Sequence, residues 1–243
     1  VQFWYYPEFK DRVEFTSMHT ERMIELLEDA TGTPYAWGTY SQIMVQNFLY
    51  GAMENTSATV FGDFFTTDAR GFKDRNYMGV NCHELTHQWF GDLVTAESWS
   101  NLTLNESFAN YSEYLWDEFK YGKDAADDHN LEDMVGYLRS GSQNKDLVRF
   151  KYAAKEDMFD AVSYNKGGRI LHMLRNYVGD DAFFKSLNNY LTTNKFKAGE
   201  ATQLRLAFEE ITGKDMNWFW NQWYTGSGHP KVEINYQYNA VNA

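Results

Sequence analysis

Between residues 14 and 30 the apolar positions Phe15, Met18, Met23, Ile24, Leu26 and Leu27 fall largely on one side of a helical repeat, which predicts a helix. Thr31-Gly32-Thr33-Pro34 supplies its stop. Ahead of it, residues 1–10 are aromatic and extended in pattern, with Pro7 as a break. Residues 40–50 alternate loosely through Ile43, Val45 and Phe48, as a strand does, and residues 60–65 read as a short strand pair around Gly62-Asp63. From there the period turns helical. Residues 71–91 predict a helix capped by Gly91, and residues 101–121 a second one. Further helices are expected over 123–140, 160–178, 180–193, 201–212 and 214–224, with breaks at Gly141-Ser142, Val178-Gly179, Lys197-Ala198-Gly199 and Gly213. At Gly226-Ser227-Gly228-His229-Pro230 the composition shifts, and Val232 to Tyr236 alternates like a strand. The pattern predicts a sheet-containing part (1–70) and a helical part (71–225). Residues 226–243 read as a linker and the first strand of a following domain. No internal repeat or low-complexity run interrupts it.

Composition narrows the class without naming a function. The chain has 243 residues, 43% of them hydrophobic, enough for a sizeable core. Aromatic side chains make up 18%, which suits core and groove walls. A net charge of −12 disfavours nucleic acid and anionic membrane as partners and is compatible with a cationic substrate group. No apolar run approaches the roughly 20 residues of a membrane span; a soluble protein is expected, cytoplasmic or periplasmic/secreted in a bacterium, and no signal peptide is visible. The sequence begins at Val1 rather than Met, as an excised piece of a longer protein would. The single cysteine, Cys82, cannot form an internal disulfide and is expected to pack in the core.

The chemistry concentrates in His83-Glu84-Leu85-Thr86-His87. Residues four apart share one helix face, so His83 and His87 can aim their imidazoles at one metal ion, with Glu84 within reach of a water beside it. Taken alone, H-E-x-x-H fits an amphipathic polar turn equally well. Glu106 adds a carboxylate after eighteen intervening residues, room for a turn and a second helix to return it to the metal. Two histidines and one carboxylate leave a fourth zinc position open, the mark of a catalytic site. Asn110 and Glu113 follow Glu106 at helical spacing. Asn110 is a candidate partner for a ligand histidine or part of a solvated face. Gly51-Ala52-Met53-Glu54-Asn55 follows a predicted strand and suits either the rim of a peptide groove or an ordinary polar turn. Of the other histidines, His19 reads as surface or core, His129 as exposed in an acidic run, and His172 as core or interface.

Together, Gly51-Ala52-Met53-Glu54-Asn55, His83 to Gly91, Asn105-Glu106 and Tyr164-Asn165-Lys166-Gly167 resemble, in order and spacing, the M1 family of zinc aminopeptidases, over residues 1–225. The resemblance implies an α+β, thermolysin-like domain, a small mixed sheet followed by a mostly helical subdomain. It implies one Zn2+ held by His83, His87 and Glu106, with Glu84 as general base and proton shuttle. Tyr164 would stabilise the oxyanion; the residues themselves offer no other reason to single it out. Glu54 would bind the free α-amine of a peptide substrate, and the backbone of Ala52 and Met53 would hold it as an added strand. Ser100 to Ser107 departs from the acidic and glycine residues commoner around the third ligand. Family members also carry an N-terminal β-domain and a C-terminal helical domain, expected here in the parent protein. A thermolysin-like endopeptidase, an epoxide hydrolase side activity and a non-enzymatic binding module are the alternatives.

Overall fold

The computed structural model describes residues 1–238. Its sheet is built from β1 (Gln2–Trp4), β2 (Ser41–Val45), β3 (Ala52–Met53) and β4 (Ala58–Gly62), in the order β1-β2-β4-β3. The first two pairings are parallel, and β3 closes one edge antiparallel to β4. This is the small mixed sheet expected. The strand pair expected over 60–65 is instead the end of β4 followed by a 3-10 turn at Asp63–Phe65. Likewise β2 stops at Val45, because Asn47 takes a left-handed φ of 56° that a continuing strand does not allow.

The helix expected over 14–30 is two helices, α1 (Lys10–Ser17) and α2 (Thr20–Thr31). At the break the Ser17 hydroxyl donates to the Val13 carbonyl (2.6 Å) and Thr20 Oγ1 to the Ser17 carbonyl (2.9 Å). Such side chains compete with the helical ladder for its own acceptors. Gly32 ends α2 in the left-handed conformation, φ 59°. A buried polar network then ties α2 and β2 to α3 (Met78–Thr86): Gln42 Nε2 donates to Asn81 Oδ1 (2.6 Å) and Asn81 Nδ2 to Thr20 Oγ1 (3.0 Å), whose own proton goes to the Ser17 carbonyl. These buried hydrogen bonds set the sheet against the helix through paired side chains.

α3 is shorter than the helix expected over 71–91. It starts after a separate 3-10 turn (Gly71–Lys73), and its last regular residue is Thr86, with His87 still in right-handed helical conformation as its cap. Gly91 does not cap it. With φ 145°, Gly91 forms a turn whose N–H donates to Val94 O (2.9 Å), leading into β5 (Val94–Ala96). A side chain there would meet the His87 carbonyl at 3.1 Å.

The helical part comprises α4 (Thr103–Tyr121), α5 (Lys123–Arg139), α6 (Gly167–Val178), α7 (Asp180–Asn194), α8 (Ala201–Thr212) and α9 (Asn217–Trp223). α4 runs through its centre, with Phe108, Ala109, Tyr111 and Trp116 buried along it. Phe108 stacks on Phe90 at 4.0 Å between ring centroids, so the aromatic content goes into the core as expected. Gly167 and Gly168 let α6 close on α4: an added Cβ would lie 1.8 Å from Ser107 Oγ or 2.1 Å from Asn110 Oδ1. Two features have no counterpart in the periodicity. Residues Lys197–Gly199, expected as a break, form β6, a parallel partner for β5. Val162–Lys166, expected as ordinary helix, is a π-helical turn. Val232 to Tyr236 does not form the expected strand and is exposed, since it has no neighbouring strand to pair with among the described residues. No helix among the described residues is long and apolar enough to cross a membrane.

Candidate active site

α3 and α4 pack side by side and bring His83, His87 and Glu106 together, with one donor atom from each within 4.8 Å of the others. Glu106 Oε2 lies 3.3 Å from His83 Nε2 and 3.4 Å from His87 Nε2. Each ring's other nitrogen is occupied: His83 Nδ1 donates to Glu113 Oε1 (2.8 Å) and His87 Nδ1 to the Phe90 carbonyl (3.1 Å). That assignment leaves both Nε2 lone pairs facing Glu106. The donor set and its outer partners therefore fit a zinc ion with an open fourth position. Burial would depress both imidazoles, but Glu106 and Glu113 raise His83 well above its ordinary value, and Glu54 and Glu106 raise His87 to about 9. Glu106 moves the opposite way: burial would raise it, and the two imidazoles hold it well below the usual carboxylate range. The carboxylates that hold protons on the two imidazoles would equally favour a metal cation in their place.

Glu84 is buried, and its Oε2 has no hydrogen-bond partner. Burial lifts its carboxyl to about 7 against the lowering pull of His83 and His87. Tyr164 comes from the π-helical turn and lays its ring against His83, 5.9 Å between centroids and 12° from parallel. Burial, then the Glu106 carboxylate, raises its hydroxyl far above its ordinary value. The extra residue of a π turn re-aims a side chain without breaking the helix that follows, and such turns recur at functional sites.

These groups share a cavity of about 630 Å3. Ala52, Met53 and Glu54 line it from the sheet edge, and Trp99, Phe159 and Tyr164 from the helical side. Gly51 and Asn55 flank this edge and hold its turn: the Gly51 carbonyl accepts from Gly62 N–H (2.6 Å) and the Asn55 carbonyl from Ala58 N–H (2.8 Å). Gln88 Nε2 donates to the Glu54 carbonyl (3.1 Å), anchoring this strand to the residues after α3.

Two expectations need correction. Asn110 does not contact a ligand histidine; its Oδ1 is buried without a partner beside Gly168. Glu113 takes that place, seven residues after Glu106 and therefore on the same helix face. His129 is not exposed: it sits between α4 and α5, with Nδ1 2.8 Å from Asp117 Oδ2. Cys82 is buried, as expected, and burial pushes its thiol up to about 12. His172 packs on Tyr114 (4.6 Å between ring centroids) and His19 near Trp116 (5.5 Å), both away from the cavity. Sequence reasoning missed Trp99, Lys155, Glu156 and Phe159 on the cavity wall; none lies in a motif, and only the chain's folding back brings them there.

A mixed sheet, an H-E-x-x-H helix and a carboxylate returned by the next helix define a gluzincin-type metallopeptidase fold. The chain belongs to peptidase family M1, whose domain model matches residues 15–223. It is 35% identical over 229 residues to the Tricorn protease-interacting factor F2 of Thermoplasma volcanium, covering 91% of this chain and 29% of that protein. It is 32% identical over 228 residues to an aminopeptidase N of Lactococcus lactis, covering 87% of this chain and 26% of that protein. The chain thus spans under a third of the length of these relatives. Among solved structures, an M1 zinc metallopeptidase from Deinococcus radiodurans superposes with a TM-score of 0.72 at 27% identity, over 91% of this chain and 46% of that one. The native yeast LTA4 hydrolase shares the fold, with a TM-score of 0.77 at 24% identity over 89% of this chain and 36% of that one.

Proposed function

We propose that this chain carries the active site of a zinc-dependent aminopeptidase, which removes the N-terminal residue from peptides. The observation that carries the reading is Glu54, whose side of the cavity faces the same space as His83, His87, Glu106 and the partnerless Glu84 oxygen. His83, His87 and Glu106 hold the zinc, which when bound supplies Lewis-acid polarisation of the scissile carbonyl and a lowered pKa for water. Glu84 takes the proton of the attacking water and returns it to the leaving amine; its buried Oε2, which has no hydrogen-bond partner, is available for both transfers. Tyr164 donates its hydroxyl to the oxyanion from its place on the cavity wall beside His83. Glu54 pairs with the substrate's α-ammonium; a peptide lacking that charge would leave the carboxylate uncompensated, so the site selects free N-termini. β3 is an edge strand, and the backbone of Ala52 and Met53 is free to hold an extended substrate as one more strand. Residues 1–225 form this catalytic unit.

The test compares, on the full-length parent protein, hydrolysis of a free-amine alanyl or leucyl amide with its N-acetylated twin, with and without chelator. Chelator-sensitive cleavage of the free amine alone supports the reading. Cleavage of both substrates would make the protein an endopeptidase. Cleavage of neither, with zinc bound, would make it a binding module.

A further inference from the structure

Behind the metal-ligand candidate His83 lies a polar cluster for which the proposed chemistry has no direct use. Glu113 on α4 accepts from His83 Nδ1 through Oε1 (2.8 Å) and turns Oε2 toward His129 Nε2 on α5, 4.0 Å away. The same His129 nitrogen lies 3.9 Å from Asp133 Oδ2, one turn along α5, while Nδ1 donates to Asp117 Oδ2 at 2.8 Å. Asp133 in turn accepts from Asn165 Nδ2 through Oδ1 (2.7 Å) and pairs with Arg169 Nη1 through Oδ2 (3.1 Å). Asn165 is the neighbour of Tyr164 on the π-helical turn. Gly136 on α5 allows this approach: an added Cβ would come within 3.4 Å of Asn165 Nδ2. One imidazole therefore stands between the carboxylate that orients His83 and the carboxylate that pins the Tyr164 turn.

We propose that His129 is a positioning residue, holding the Glu113 carboxylate on His83 and, through Asp133, fixing the turn that presents Tyr164. The charges explain why a histidine is suited to the place. Glu113, Asp117 and Asp133 are three carboxylates in a half-buried space; Arg169 offsets Asp133, and His129 is the group that faces all three. The Asp117 hydrogen bond, opposed by burial and helped by Glu113 and Asp133, raises His129 above its ordinary value, consistent with a positive charge on the ring. Releasing Glu113 would let the His83 ring rotate, and partners of this kind are typically worth about 10–100-fold in metal affinity.

This inference rests on the zinc reading of the site, and the experiment separates the two. Zinc affinity is measured by competition with a chromophoric chelator for the wild-type protein, His129→Phe, Glu113→Gln and the double variant, with kcat and KM alongside. If His129 acts through Glu113, His129→Phe weakens zinc binding several-fold and lowers kcat more than it raises KM. In the Glu113→Gln background the same change then has no further effect on zinc. Equal losses in both backgrounds, or unchanged affinity in the wild-type background, overturn the proposal. Should His129→Phe fail to fold, His129→Gln, which keeps an N–H for Asp117 but carries no charge, is put through the same cycle and judged by the same criterion. A wild-type protein that binds no zinc refutes the metal reading itself, and the proposal with it.

Discussion

At the scale of single residues, the site assigns different consequences to groups a few ångströms apart. Glu84 makes no hydrogen bond through Oε2 and is not among the three clustered donors. Glu84→Gln is accordingly expected to abolish turnover while zinc content, measured on the purified protein, stays at the wild-type level. Retained activity would remove Glu84 from the role of base. Tyr164→Phe removes the hydroxyl proposed to donate to the oxyanion and leaves the ring stacked on His83. The expected result is a kcat lowered about 10²–10³-fold with KM little changed. A raised KM at constant kcat would instead mean that Tyr164 binds the ground state. His83, Glu84, His87 and Glu106 were legible in the sequence because helix geometry alone relates them: four residues for one pair, a returning helix for the third donor. Tyr164 and Glu54 were legible only through family resemblance, since no local periodicity singles out one tyrosine among 17. Spacing places Glu113 on the face of Glu106, but it makes Asn110, four residues on, the candidate partner of a ligand histidine rather than Glu113 at seven. Asn110 lies instead against Gly168 of α6, a contact between distant segments that spacing along α4 does not reveal.

At the scale of elements, periodicity identified the major helices and misplaced their ends where side chains take over backbone acceptors. The break between α1 and α2 comes from Ser17 and Thr20, and α3 ends early where the Gly91 turn begins. β5 and β6 were illegible because each has three residues and makes sense only as the other's partner. The contact between α4 and α6 offers a test at this scale. Gly167→Ala places a methyl group where Ser107 Oγ now bridges to Thr103 Oγ1 (2.6 Å) and the Ser163 carbonyl (2.7 Å). Overpacking of this sort costs about 1–3 kcal/mol, to be read as a lowered urea midpoint at unchanged m-value. Because α6 continues directly from the Tyr164 turn, kcat should fall as well. A midpoint equal to wild type would show that the two helices have slack.

For the whole molecule, the candidate metal site is also a structural joint. Two helices meet at a cluster of buried carboxylates and imidazoles, so a bound cation links α3 to α4 as a covalent staple would. Stripping zinc should lower the melting temperature, and the effect should grow with free zinc concentration. A ligand at about 1,000 times its Kd contributes about 4 kcal/mol. Coincident melting of chelated and zinc-loaded protein would mean that the joint holds without the ion.

The parallel pairing of β5 with β6 has a kinetic meaning. Val94 pairs with Lys197, so the two short strands clasp a loop of about a hundred residues, and closing so long a loop is entropically slow. His83 and His87 lie before the clasp; Glu106 and Tyr164 lie within the loop it ties off. The α3–α4 contact is local in sequence and can form early, bringing three donors together while the Tyr164 turn is still unsettled. In refolding, zinc uptake is expected to precede the return of activity, with the lag set by how long the clasp takes to close.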